Sequence, residues 1–184
     1  MALTKTPICN FGEKAKDFNL KSTENKQISL KDVTGANGTL VMFICNHCPY
    51  VKAIIKDLVN DVKFLESLGI KSVGIMSNDV KNYPDDSFEN MISFSKLHNF
   101  SFPYLIDEKQ NIAKEYGAVC TPDFFGYNKN LELQYRGRIR ELKDLKPVKK
   151  GDSDLKLAMK LVAETGKGPE DQIPSMGCNI KWFK

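Results

Sequence analysis

The feature that most constrains this chain is a continuous apolar run, Thr39-Leu40-Val41-Met42-Phe43-Ile44, followed at once by a cysteine-bearing turn and a long amphipathic stripe. A run of that length, bounded by Gly35 and Gly38, fits a strand buried on both faces. After Pro49 the apolar positions are Val51, Ile54, Ile55, Leu58, Val59, Val62, Leu65 and Leu68. That i, i+3, i+4, i+7 spacing predicts a helix closing at Gly69. Ile70 to Ser77 reads as a second strand, so the segment is a βαβ unit with a right-handed crossover.

The rest of the chain alternates in the same way between periods of two and 3.6, which predicts an α/β fold with a central mixed sheet flanked by helices. Phe18, Leu20, Ile28 and Leu30 around the polar Ser22 to Lys26 predict an N-terminal β-hairpin extension. Asp85-Asp86-Ser87 supplies candidate N-caps for a helix through Phe88, Met91, Ile92 and Leu97. A strand over Pro103 to Asp107 and a short helix near Gln110 to Tyr116 follow. Phe124 to Tyr127 and Leu131 to Tyr135 form a hairpin around Asn128-Lys129-Asn130. A last helix covers about Asp152 to Glu164. From about residue 166 a C-terminal extension begins, and its end, Cys178 to Phe183, carries enough apolar area to pack back on the domain.

Length and composition then limit the function. At 184 residues, 41% hydrophobic and 27% charged, the chain has globular composition, and a single domain over 1-184 is expected. Folding at this size buries roughly 70% of the unfolded surface, so no disulfide framework is required. The 27 basic and 23 acidic residues leave a formal charge of only +4, too mild to imply a nucleic-acid partner. The densest basic stretches, Arg136-Gly137-Arg138-Ile139-Arg140 and Lys146 to Lys150, are interrupted by acids and read as a solvated rim. No apolar run reaches the roughly 20 residues of a membrane helix. The first residues lack the apolar core of a secretory signal, so a cytoplasmic, reducing setting is expected. There the five cysteines are catalytic, metal-binding or simply buried rather than structural pairs.

The turn Cys45-Asn46-His47-Cys48-Pro49-Tyr50 singles out one of them. Proline is favoured at the first helical position, which places Cys48 at the N-cap. Free N–H groups and the positive end of the helix dipole stabilise a thiolate there. Cys48 is therefore the nucleophile candidate, with His47 beside it as a supporting group. A cysteine acting as a small buried hydrophobe is the ordinary alternative.

Cys45-Asn46-His47-Cys48-Pro49-Tyr50-Val51, Tyr83 to Phe88, Phe102 to Leu105, Tyr116 to Phe125, Tyr135 to Arg138 and Pro174 to Cys178 together resemble the thioredoxin-like superfamily. Within it the chain resembles the alkyl hydroperoxide reductase / thiol-specific antioxidant (redoxin) group, in its bacterial "thioredoxin family protein" branch. The resemblance implies a thioredoxin-like fold and antioxidant or disulfide chemistry. It also implies that Thr121-Pro122 is the cis-proline loop facing the reactive cysteine. The chain departs from relatives at several places. In thioredoxins the second cysteine lies inside the helix, where this chain has Val51. The peroxiredoxin signature Pro-x-x-x-Thr-x-x-Cys reads here Val41, Cys45 and Cys48, and Lys16 precedes Asp17-Phe18 where redoxins usually have proline.

A second thiol is needed to complete a disulfide. Cys45 ranks first as the resolving candidate, then Cys178 on the tail and Cys120 near Pro122, while Cys9 is incidental. The leading function is thiol-disulfide exchange through Cys48. The alternative is a peroxiredoxin-like hydroperoxide reductase. A further reading is copper or zinc binding by Cys45, His47, Cys48 and Cys178, and another is a redox-inert binding module. No nucleotide-binding fingerprint or phosphate loop is present. Without a cofactor, reducing equivalents must come from another protein, of thioredoxin or glutaredoxin type by the resemblance.

Overall fold

The computed structural model describes residues 3–184. In chain order the strands and helices are β1 (Leu3–Lys5), β2 (Asn19–Ser22), β3 (Gln27–Ser29), β4 (Gly38–Phe43), α1 (Pro49–Ser67), β5 (Ile70–Met76), α2 (Phe88–Leu97), β6 (Tyr104–Ile106), α3 (Asn111–Tyr116), β7 (Cys120–Thr121), β8 (Asp123–Asn128), β9 (Leu133–Tyr135), β10 (Leu142–Lys143), β11 (Lys146–Pro147), α4 (Asp154–Thr165) and β12 (Met176–Asn179). The main sheet has the order β3-β2-β6-β5-β4-β8-β9. β4, apolar on both faces, lies between β5, to which it is parallel, and β8, to which it is antiparallel. β5 and β6 are also parallel, so the sheet is mixed, as the alternating periods predict.

Strand geometry sends neighbouring side chains of β4 to opposite faces. Leu40 and Met42 join a core with Ile54 and Leu58 of α1 and Leu155 and Met159 of α4. Val41 and Phe43 join a second core with Phe18, Tyr116 and Phe125. Each such buried side chain contributes roughly 1.5–3 kcal/mol of transfer free energy. Removing both faces of β4 from water is what drives the strand to the centre and carries its C-terminal end, with the cysteine turn, to one edge of the layered domain.

Several sequence expectations shift in detail. The N-terminal hairpin is more than an extension: β2 pairs with β6, Lys21 opposite Ile106, and lengthens the main sheet. Of the three candidate caps before α2, Ser87 takes the role and its side chain accepts from the Asn90 N–H. Asp86 lies in a 3-10 turn over Pro84–Asp86 instead and is fully buried. Helix α4 starts at Asp154 behind the Ser153 cap, which accepts from the Lys156 N–H. Arg136 overturns the reading of its stretch as a solvated rim, because its guanidinium lies inside the domain against Asp123, 3.0 Å away. The tail does pack back: β12 is the middle strand of a second sheet, β1-β12-β7, antiparallel to both neighbours. No helix among the described residues is long and apolar enough to cross a membrane.

Candidate active site

The turn after β4 ends where α1 begins, and Cys48 is the N-cap residue with Pro49 behind it in the first turn. The sulfur is buried and lies 3.2 Å from the Thr121 carbonyl oxygen, to which the S–H donates when Cys48 is in the thiol form. Cys45, three residues earlier, is also buried and contacts the Thr121 hydroxyl at 3.3 Å. Hydrogen bonding from the Cys45 thiol pulls Cys48 down most strongly, against burial, with help from the Cys178 thiol and the N–H groups of Val51 and Cys178. The result is a Cys48 thiol lowered to about 5. Cys45 moves the other way, well above the usual thiol range, through the same bond to Cys48 and through burial. One sulfur is thus prepared to carry charge while its neighbours hold their protons.

Cys178 arrives on β12. Its register partner is Thr121 of β7, the residue whose carbonyl meets Cys48. Burial raises Cys178 to about 12, and its bond to Cys48 adds to this. The close approach of the tail depends on Gly177, since a Cβ there would stand 2.0 Å from the Thr121 carbonyl oxygen. The Ser175 hydroxyl donates to the Pro122 carbonyl at 2.8 Å, on the other side of the same loop. The Thr121-Pro122 peptide is cis. Cys120, immediately before it, is turned toward the Pro122 carbonyl at 3.6 Å, and burial drives its thiol far above the usual range. Cys9 is half-buried in the core on the opposite face of the sheet, and burial raises it to about 11.

Below the turn sits a carboxylate that the sequence reading placed at a helix cap. Asp86 accepts from the N–H groups of Asn46 and His47 at 2.8 and 3.2 Å, from His47 Nδ1 at 2.6 Å and from Asn78 Nδ2 at 2.8 Å. Burial alone would raise its carboxyl, but the His47 and Asn78 donors outweigh it and hold the group below the ordinary carboxylate range. The same hydrogen bond raises His47. Tyr104 donates to Asn46 Oδ1 at 2.9 Å from β6, so the turn is held from the strand side as well. On the tail side the Lys181 N–H donates to Asn78 Oδ1 at 2.9 Å. Tyr83 stacks on His47 with ring centroids 5.8 Å apart.

The structure therefore gathers Cys45, His47, Cys48, Pro49, Thr121, Pro122, Cys120 and Cys178 at one place. It adds Asp86, Asn46, Asn78 and Tyr104, which the sequence reading missed. The signal for Asp86 was present as a second acid in Tyr83-Pro84-Asp85-Asp86-Ser87, but a cap and a buried ion-pair partner look alike at that level. Cys45, His47 and Asp86 offer ligand atoms within 4.8 Å of one another, a set that shares Cys45 and His47 with the metal reading and brings in Asp86 in place of the Cys48 and Cys178 thiols.

This arrangement of sheet, cysteine-capped helix and cis-proline loop defines a thioredoxin-like protein. The AhpC/TSA family model matches residues 11–142, and the chain belongs to that family. It is similar over its whole length to an uncharacterized conserved protein from Geobacillus kaustophilus, at 36% identity, TM-score 0.94 and coverage of 97% of that chain. A hypothetical protein from Sinorhizobium meliloti shares 34% identity at TM-score 0.90, over 98% of each chain. A peroxidoxin from Mycobacterium tuberculosis shares the fold at 14% identity and TM-score 0.56, over 69% of this chain and 83% of its own. No protein of curated function matches the sequence.

Proposed function

We propose that the chain is a thiol-based oxidoreductase in which Cys48 carries out thiol-disulfide exchange. The observation that carries this reading is the meeting at one helix N-terminus of a thiol lowered to about 5 with two protonated thiols, Cys45 and Cys178. At neutral pH Cys48 is then a thiolate, the form that attacks sulfur. Attack on a disulfide R–S–S–R gives a mixed disulfide on Cys48 and releases RS⁻. A second thiol of the cluster displaces the other half, and a reducing protein of thioredoxin or glutaredoxin type returns the pair to thiols. A cleft of about 260 Å³ adjoins the cis-proline, lined by the apolar Tyr50, Pro122 and Met176 and by the charged Arg138, Arg140 and Glu141, and offers a mixed seat for a substrate group.

One observation favours a second reading. The Cys48 side chain is fully shielded, with Cys178 and Thr121 over it, and such a sulfur is reached more readily by a small oxidant than by a protein disulfide. Reduction of a small hydroperoxide through a Cys48 sulfenic acid is the chemistry that fits that access. Turnover of a model disulfide and of hydrogen peroxide, measured on one preparation, separates the two. Either reading expects the Cys48→Ser variant to lose turnover by at least about a hundredfold. A thiol titration that finds Cys48 ionising like a free cysteine sinks both.

A further inference from the structure

The cluster holds two candidates to displace the group from an oxidised Cys48, and the fold treats them differently. Cys45 belongs to the same turn as Cys48. That turn is pinned from below by Asp86, which accepts the N–H groups of Asn46 and His47, and from the side by Tyr104. Its thiol faces the Thr121 hydroxyl and serves Cys48 as the main hydrogen-bond donor. A disulfide between Cys45 and Cys48 would close a ring inside this pinned turn.

Cys178 comes from outside the turn. Both its thiol and its N–H act on Cys48, and its register partner Thr121 accepts from Cys48 through the main-chain carbonyl. The strand carrying it is fastened on each side: the Thr6 N–H donates to the Ser175 carbonyl, the Ile180 N–H to the Val119 carbonyl, and the Asp79 N–H to the Lys181 carbonyl. Gly177 has no side chain because none fits against Thr121. The ammonium of Lys181, three residues on, offsets part of the rise that burial and the bond to Cys48 impose on the Cys178 thiol.

Resting on the assignment of Cys48 as nucleophile, we infer that Cys178 is the resolving thiol and that the oxidised protein carries a Cys48–Cys178 disulfide. The Cys48 thiolate attacks R–S–S–R, forming Cys48–S–S–R and releasing the first RS⁻. Cys178 gives its proton to solvent and attacks the Cys48 sulfur, which forms the Cys48–Cys178 bond and releases the second RS⁻. The two cysteines lose two electrons, and the substrate disulfide gains them as two thiols. Cys45 keeps its proton throughout. The C-terminal strand is then a working part of the site, stapled to the start of α1 in the oxidised state and free to exchange in the reduced one.

The test uses the full chain and a dithiodipyridine, whose released thiopyridone is counted by absorbance, at about pH 6 where only a thiolate of depressed pKa reacts fast. The wild type is expected to release two equivalents in the fast phases and to end as the linked disulfide, and Cys45→Ser, which lacks the main donor to Cys48, to react more slowly but still release two equivalents and end as the same Cys48–Cys178 disulfide. Cys178→Ser is expected to release one and to retain a pyridyl adduct on Cys48, seen by mass mapping. Far-UV circular dichroism of the two variants checks folding, and mapping of the oxidised wild type gives an answer independent of either. Linked peptides containing Cys48 and Cys178 support the inference. Linked Cys45 and Cys48 peptides, with two equivalents released by Cys178→Ser, overturn it and leave the nucleophile assignment standing. No fast adduct on Cys48 in any form overturns both.

Discussion

Asp86 and Asp123 are both fully buried, both paired with a basic side chain and both within reach of the thiol cluster, yet they end on opposite sides of the ordinary carboxylate range. Asp86 is held below the ordinary carboxylate range, with His47 and Asn78 donors outweighing desolvation. Asp123 is raised to about 6 by burial, with Arg136 and the Val119 N–H opposing the rise. The difference lies in how completely the surroundings replace water. Asp86 receives two backbone N–H groups, an imidazole and an amide, whereas Asp123 receives one guanidinium at 3.0 and 3.4 Å and one long backbone contact at 3.3 Å. In this protein one guanidinium offsets the burial of Asp123 less fully than the four donors around Asp86 offset its own.

That contrast can be broken in order of effect. Arg136→Met should be the most damaging change, costing about 3–5 kcal/mol in denaturant unfolding near neutral pH, because Asp123 is left as an uncompensated buried charge. Asp123→Asn and Arg136→Met together should recover much of that loss, and failure to recover would show that packing of Arg136 over the Phe125 ring, 4.3 Å from its centroid, matters more. Next in size is Asp86→Asn, expected to cost about 1–3 kcal/mol through the broken bond to His47 and the unsatisfied donors in the turn. The same variant should raise the Cys48 pKa in a thiol-alkylation profile, since the Asp86 hydrogen bond that favours the protonated form of the neighbouring His47 is lost.

The pH dependence sharpens the comparison. For Asp86, whose folded value is depressed, the stabilisation is present above the unfolded value of about 3.9 and is lost as the pH falls through the folded one. For Asp123 the sign reverses. The native state binds more protons than the unfolded one between about 6 and the unfolded value near 3.9, so its contribution to stability grows as the pH falls through that window. Asp123→Asn should therefore remove a gain between about pH 6 and 4, and Asp86→Asn should flatten the loss below about pH 4, both read from denaturant midpoints. Smallest of all, His47→Gln should cost about 1 kcal/mol. The raised His47 value makes its share fully present below the unfolded value of about 6.5 and lost as the pH rises through the folded one.

Much of the site was readable from local rules. Pro49 placed Cys48 at the helix start, and the stripe from Val51 to Leu68 gave the helix its buried face. The cis form of Thr121-Pro122 came from family resemblance rather than from a local rule. Asp86 escaped because a carboxylate near a helix start satisfies the rules for a cap equally well, and only the path of the chain decides which N–H groups it meets. Arg136 escaped for a related reason. Its position in a basic stretch describes neighbours along the chain, while Asp123 across the hairpin is what pulls it inside.

The amino-acid sequence by itself determined the order of the main-sheet strands and of the four α-helices, the strand β4, and the position of Cys48 at a helix N-terminus. These depend on hydrophobic periodicity and proline chemistry, both of which act over a few residues. Only the tertiary structure decided which groups surround that sulfur. The pairing of β12 with β7 joins Cys178 to Thr121 across more than fifty residues, and the turn at Asp86 reaches back about forty to hold the cysteine loop. Contacts of that separation form when whole elements dock and exclude water, and no local pattern encodes their partners.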